Sequence, residues 1–413
     1  MENVNKIEFK PYSTQFSADP YPVYAALRES SPIFFDPDWG VTFITRHEDI
    51  SRLLVHKSLG RTLEHVLNAD EVRVRRAEQV WANLPNYGRF IANNLLETEG
   101  EDHLRLRRLL VKGFTTAQIE LQRDGIQKLV DESLDRVRAV GSMDFLEDLV
   151  APVTVSVIGR LLGLPDCDHH RLRPWSAAIV RLYEKDLRPE DAEAAELATT
   201  EFVDYLADLL EQRRSEPTDD LISVLAQVED DGLMLKNDEL ISTCILLLNA
   251  GHESTVNAAG NGMLALLSHP EQYLRLAESP ELIDSAIEEM LRYDPPLHYF
   301  HRYVLEDFAF KGFGFKKGET LGFLYGSANR DPEAFESPDQ FDIVREPNKH
   351  LAFGKGRHFC LGAQLARLEL EIVFTSVLRS FRNIQLAQSQ PEHHPGLVFR
   401  GLKALQLKWD VVE

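Results

Sequence analysis

The segment Phe353-Gly354-Lys355-Gly356-Arg357-His358-Phe359-Cys360-Leu361-Gly362-Ala363 surrounds a cysteine with residues suited to chemistry. Two glycines permit a tight loop, and the cysteine is expected to open an amphipathic helix over Leu361 to Arg379. Free N–H groups and the positive dipole end at a helix N-terminus favour a thiolate, which acts either as a nucleophile or as a metal ligand. Gly362, Ala363 and Ala366 fall on about one side and leave room for something flat. A flat group that takes one cysteine on its metal is a haem, where the sulfur pushes electron density toward O–O cleavage. A glycine turn before a helix with an inert, buried cysteine would use the same residue types, but it does not call for this order of residues.

A second signal lies at Ala250-Gly251-His252-Glu253-Ser254-Thr255, which interrupts the apolar run Ile241 to Leu248. A mid-helix glycine costs about 1 kcal/mol relative to alanine, and a buried acid costs more unless satisfied. Two such violations side by side point to function rather than to packing. Glu289 and Arg292 stand three apart, on one helix face, where they are able to form a charge-assisted pair. His103 and Arg107, four apart, share a face of another helix. A solvated salt bridge and a solvated basic face would use those last two spacings equally well.

Taken together, and in this order along the chain from about His103 to Gly401, these segments resemble the cytochrome P450 superfamily, in particular its bacterial class I-like members. The resemblance implies a mainly α fold with a small antiparallel β region. In that fold a haem b lies between the long central helix and the cysteine-bearing C-terminal helix. It implies Cys360 as the axial ligand of the haem iron, with Gly354 in the cysteine loop. His103, Arg107, Arg302 and His358 occupy positions that bind the haem propionates in similar enzymes. Ala250 and Gly251 match the family's oxygen-binding groove, and Glu253 its acid. Ser254 stands where threonine is commoner, with Thr255 next along, so a hydroxyl is retained while the methyl that fixes its rotamer is lost. Arg345, after Ser327-Ala328-Asn329-Arg330-Asp331-Pro332, is implied to lock the Glu289–Arg292 pair and brace the cysteine loop.

The implied reaction inserts one atom of O2 into a medium-sized hydrophobic substrate. Positions matching the family's pocket are Leu246, Asn249, Ala250, Leu297, His298, Val398 and Phe399, with loop residues between Val80 and Leu95. Asn249 and His298 are the polar candidates among them, and His298 fits a satisfied polar residue near the pocket wall as well as an anchor. The length leaves no room for a fused flavin or ferredoxin region. Electrons from NAD(P)H are therefore expected in trans, from a ferredoxin-like donor and its reductase. Arg105, Arg108 and Lys112, with Lys355 and Arg357, form the expected docking patch. A peroxygenase on the same fold, or a haem-binding protein without turnover, are the alternative classes; Glu253 and Ser254 argue against the first.

Helical periodicity supplies the elements that must position these residues. It predicts helices from Leu104 to Phe114, Ile119 to Val140, Val153 to Leu162, Leu172 to Tyr183, Pro189 to Arg213 and Asp219 to Val228. The longest runs from Asn237 to Ser268, roughly 48 Å, before Pro270 stops it. A helix from Pro280 to Tyr293 carries the Glu289 pair. Strands are expected at Pro32 to Phe35, Val41 to Ile44, Phe308 to Phe310, Glu319 to Leu324 and near Leu402 to Trp409. The 413 residues show no Ser/Pro/Gly-rich linker, so residues 1–413 read as one domain. Sixty-six acids against 45 Lys and Arg give a net charge of −21, which argues against a nucleic-acid or membrane-surface partner. Three scattered cysteines exclude a disulfide scaffold, and the longest uninterrupted apolar run, Cys244 to Leu248, is far short of a membrane span. A cytoplasmic monomer is the expectation.

Overall fold

Side-chain caps set several helix starts in the computed structural model, which describes residues 7–91, 94–229, 232, 234–388 and 390–411. Asp220 accepts the Ser223 N–H at 2.7 Å and starts Leu221–Gln227; Thr115 does the same for Thr116–Glu120 through Gln118. Pro189 and Pro270 each occupy a first helical position, where a missing N–H costs nothing. Pro270 thus ends the long helix Asn237–Ser268 and begins the next, Pro270–Glu278. The chain forms two compact units, and their boundary passes along the long helix between Glu253 and Ser254.

One unit comprises Gly60–Ile126 and Pro152–Glu253 and is helical. Gly100–Val111, His169–Val180 and Pro189–Ser215 are its principal helices beside the first half of the long one. Trp175 stacks on Phe202 with ring centroids 4.8 Å apart and seals two of them together. Arg213 pairs with Asp220 and donates to the Gly163 carbonyl, fastening the end of Pro189–Ser215 to a turn.

The other unit comprises Met1–Leu59, Gln127–Ala151 and Ser254–Glu413 and holds the β structure. Ile33–Asp36 runs antiparallel to Val41–Ile44, which lies parallel to Thr320–Leu324; the latter pairs antiparallel with Tyr299–Val304. Ile33, Ile44, Leu53, Leu321, Phe323 and Leu351 pack against one another beside this sheet. A smaller sheet joins Ser142–Asp144, Gln406–Asp410 and Arg382–Leu386. Two helices complete the frame of the site: Ile283–Tyr293 and Ala363–Ser380.

The mainly α architecture with minor sheets agrees with expectation, with local corrections. The predicted helix from Ile119 to Val140 is two, Thr116–Glu120 and Arg123–Val137. One strand pairing is parallel rather than antiparallel, because Val41–Ile44 and Thr320–Leu324 are joined by a long crossover and not a hairpin. Tyr299–Val304 was not anticipated as a strand, since His301 and Arg302 interrupt its apolar pattern. Among the described residues no helix is long and apolar enough to cross a membrane.

Candidate active site

The cysteine loop is closed by its own backbone. Gly354 donates to the Leu351 carbonyl at 2.9 Å, Phe359 to Gly356 at 3.0 Å, and Cys360 to Phe353 at 3.0 Å. Gly354 and Gly356 hold φ of +67° and +76°, a region that side-chain-bearing residues rarely adopt. A Cβ on Gly356 would also stand 2.9 Å from Val55 Cγ1 and 3.2 Å from the Leu54 carbonyl. These contacts set the helix start: Gly362 is the N-cap and the helix begins at Ala363, so Cys360 precedes it rather than opening it. The loop, more than the helix end, therefore presents the sulfur, and Cys360 is exposed. In the same unit, Arg302 is buried on its strand and donates to the His301 carbonyl at 2.9 Å, while His358, two residues before the cysteine, is half-buried.

Behind the loop stands a buried ion network. Arg292 Nε and Nη2 donate to the two Glu289 oxygens at 2.7 and 2.8 Å, and neither side chain has any exposure. Arg345 Nε reaches the same carboxylate at 3.1 Å, and Asn348 Nδ2 at 3.2 Å. Arg292 also donates to the carbonyls of Asn329, Pro338 and Gln340. Asn329 Oδ1 accepts the Leu351 N–H at 2.8 Å, and Leu351 is the residue whose carbonyl closes the loop onto Gly354. The structure thus brings Glu289, Arg292 and Arg345 together and runs a continuous line of bonds from them to the cysteine loop. Removing one partner of such a pair costs about 3–5 kcal/mol, because the other charge is left buried and unpaired.

The long helix carries the oxygen-side candidates. Leu248, Asn249, His252 and Thr255 are buried, whereas Ala250 is exposed and Leu246, Glu253, Ser254 and Asn257 are partly so. With the partly exposed Leu247 and Gly251, positions 246, 250, 253, 254 and 257 make one open stripe of the helix, and Val256 is partly exposed outside it. Ser254 is on it and Thr255 is not. A Cβ on Gly251 would lie 2.8 Å from Ile158 Cδ1, so the glycine also lets Ile158 pack close to the helix, and Ala250 is exposed beside it. His252 turns inward, its Nδ1 2.8 Å from Thr154 Oγ1. In the same unit His103 is buried and Arg107 half-buried on Gly100–Val111, while Asn249 is buried beside Tyr183.

The pocket candidates separate. Leu297 bridges Phe399, and His298 donates its N–H to the Val398 carbonyl at 3.0 Å, so these four share one corner. Of the two readings of His298, the satisfied polar residue is the one its bonds support. Its ring nitrogens face the Tyr24 hydroxyl at 3.2 Å and Asp294 at 3.3 Å, so its polar atoms serve a buried network rather than a pocket. Asp294 is the hub of that network: Tyr21 donates to it at 2.6 Å and Arg400 at 2.7 Å. Burial opposes its ionisation, but the Arg400 guanidinium and the His298 bond hold its carboxyl far below the usual range. Sequence reasoning missed Asp294 and Arg400, which lie far apart in the chain and carry no local spacing. Of the loop between Val80 and Leu95, residues 92 and 93 lie outside the described residues, and Arg89 pairs with Asp238. Within the expected docking patch, Arg105 is bound by Glu239 and its charge is matched within the helix pair, whereas Arg108 and Lys112 are exposed.

A single exposed sulfur in a glycine-pinched loop is the donor set of a haem thiolate, whose macrocycle supplies the other ligands. The open stripe of the long helix, with the small Ala250 and Ser254 on it, suits a flat group and a diatomic ligand, so the residues fit a haem. The cytochrome P450 family pattern matches residues 185–408. The polyketide biosynthesis cytochrome P450 PksS of Bacillus subtilis is 36% identical over 97% of this chain and 98% of its own. The cytochrome P450 monooxygenase PikC of Streptomyces venezuelae is 36% identical over 95% of this chain and 92% of its own. The crystal structure of P450BioI in complex with hexadec-9Z-enoic acid ligated acyl carrier protein superposes with a TM-score of 0.89 at 32% identity, covering 96% of this chain and 99% of that one.

Proposed function

The chain belongs to the cytochrome P450 family of haem-dependent monooxygenases, and from that premise we propose that Cys360 is the thiolate ligand of its haem and that a medium-sized hydrophobic molecule is its substrate. The haem b, when bound, supplies the activation of O2 with electrons that originate in NAD(P)H. The observation that carries the ligand assignment is the exposed Cys360 sulfur on a loop braced by the Glu289–Arg292–Arg345 network. His103, Arg107, Arg302 and His358 are the residues that would hold the propionates. Ala250 on the open stripe leaves room for oxygen beside the helix. Glu253 supplies protons there, and Ser254 Oγ holds them, directly or through water, against the oxygen to be cleaved. Leu246, Leu297, Val398 and Phe399 supply apolar surface for the substrate, with Asn249 as a polar neighbour. Two names support a substrate of this class: one relative is assigned to polyketide biosynthesis, and another is bound to a C16 acyl chain on its carrier protein. Electrons come from a separate ferredoxin-like donor.

The reduced CO complex tests the ligand. Its Soret band should show the red shift of sulfur trans to CO, and Cys360→Ala should abolish it. Replacement of exposed Cys167 or of Cys244, whose thiol is buried and pushed up by that burial, should leave the band intact. An unchanged band in Cys360→Ala refutes the assignment. Low-to-high-spin shifts with polyketide, fatty-acyl, steroid and aromatic-acid panels test the substrate class; a response confined to the aromatic acids overturns it.

A further inference from the structure

The residue before Glu289 does not share its network. Glu288 lies on the same helix, Ile283–Tyr293, but reaches the cysteine helix instead. Arg367 of Ala363–Ser380 grips it with both forks, Nε to Oε1 at 2.6 Å and Nη2 to Oε2 at 2.9 Å. The same guanidinium stands 4.5 Å from the centroid of the Phe353 ring, a cation–π distance, and so fixes that ring from the helix side. A second group approaches Glu288 from before the loop: His350 Nε2 lies 3.2 Å from its Oε2. His350 Nδ1 accepts the Ala352 N–H at 3.1 Å, so it carries no proton; the ring proton is on Nε2 and is donated to Glu288. Ala352 and Phe353 are thereby held from both sides, and the Phe353 carbonyl receives the Cys360 N–H.

Resting on the reading of Cys360 as the haem ligand, we propose that Glu288 is a positioning residue that clamps the cysteine loop at both ends, through His350 before it and Arg367 after it. The clamp complements the Glu289 network, which reaches the loop by way of Asn329 and Leu351. Its charges are set for the task. Burial resists ionisation of Glu288, but the Arg367 and His350 bonds outweigh it and hold its carboxyl down to about 2, so the acceptor is present throughout the working pH range. An exposed ion pair without the aromatic and histidine contacts would contribute little and would position nothing.

Three measurements on the full-length holoenzyme test this in Glu288→Gln and Arg367→Lys. Lysine keeps the charge but loses the planar fork. Hydrogen exchange should rise roughly tenfold at the amides of Ala352, Gly354 and Cys360 in Glu288→Gln, and by less in Arg367→Lys. Under urea, the sulfur-ligated CO band should be lost at a lower concentration than the far-UV CD signal, whereas the two coincide in the wild type. A variant of the exposed Arg160–Asp166 pair should leave exchange in the loop unchanged. If Glu288→Gln fails to fold, Arg367→Lys decides alone. Loop exchange equal to wild type, or CO and CD midpoints that fall together, overturns the clamp as no more than a structural salt bridge. Absence of the sulfur-ligated band from the wild type would sink the ligand reading instead, while the exchange data would still decide the clamp.

Discussion

Ser254 and Thr255 are neighbours with the same functional group, and helix geometry gives them different fates. One residue turns the helix by about 100°, which leaves Ser254 on the open stripe with Ala250 and buries Thr255. A buried hydroxyl cannot hand a proton to an exposed oxygen. Ser254→Ala should therefore keep haem and substrate binding while diverting much of the reducing power into hydrogen peroxide. Thr255→Ala should stay coupled, and Ser254→Thr should match or exceed the native coupling, because β-branching restricts the hydroxyl. The ratio of product formed to NAD(P)H consumed measures all three. Loss of coupling only in the Thr255 variant would put the relay one residue further on. Adjacency in sequence could not choose between them; burial does.

At the scale of elements, one carboxylate joins segments that the chain holds far apart. Asp294 ends the helix Ile283–Tyr293 and binds Tyr21 of the N-terminal helix Tyr21–Ser30, His298 before the strand Tyr299–Val304, and Arg400 near the C-terminus. Its folded-state pKa is depressed, so its contribution is present above the unfolded value, near 3.9, and is lost as pH falls toward the folded one. Asp294→Asn should accordingly cost about 3–5 kcal/mol at pH 7, since Arg400 is left buried without its counter-charge. The deficit relative to wild type should shrink below about pH 4. Urea unfolding at both pH values checks it; a deficit independent of pH would mean that packing rather than charge is lost. Helix positions were legible from periodicity, as with Asn237–Ser268, which matches its expected bounds. Tyr299–Val304 was not, because His301 and Arg302 break its apolar pattern and only pairing with Thr320–Leu324 marks it as a strand.

For the molecule as a whole, a net charge of −21 repels an acidic electron donor, so docking must rely on local cations. Lys355 and Arg357 are exposed in the cysteine loop, next to the sulfur through which electrons would pass. Charge reversal of both to Glu should raise the apparent Kd for a ferredoxin-like donor roughly tenfold at low salt, with the difference fading as ionic strength rises. Arg105→Glu should instead lower stability, since it sets two acids face to face at Glu239, and should leave the salt dependence of docking as it was. Stopped-flow reduction across a salt series distinguishes these outcomes. An unchanged Kd in the loop variant would move the docking face elsewhere.

The sequence by itself determined the chemistry and its order along the chain. The cysteine loop, the Glu289–Arg292 spacing and the acid–alcohol step on the long helix are local patterns, and local patterns survive without a fold. It also determined most helices, because their apolar period is written within each segment. Tertiary structure decided what depends on neighbours. A Cβ on Gly251 would meet Ile158 Cδ1 at 2.8 Å, a contact that no local spacing shows. His298, which read equally as a satisfied polar residue and as an anchor, is bonded to Asp294, and Arg105, expected as a docking cation, is paired with Glu239. Cys360 sits ahead of its helix because backbone bonds to Phe353 close the loop first. Ile158 and Glu239 are remote in sequence from the residues they meet, while Asp294 and Phe353 are near in sequence but are placed by the fold, and a polar or small residue takes its meaning from what the fold sets against it.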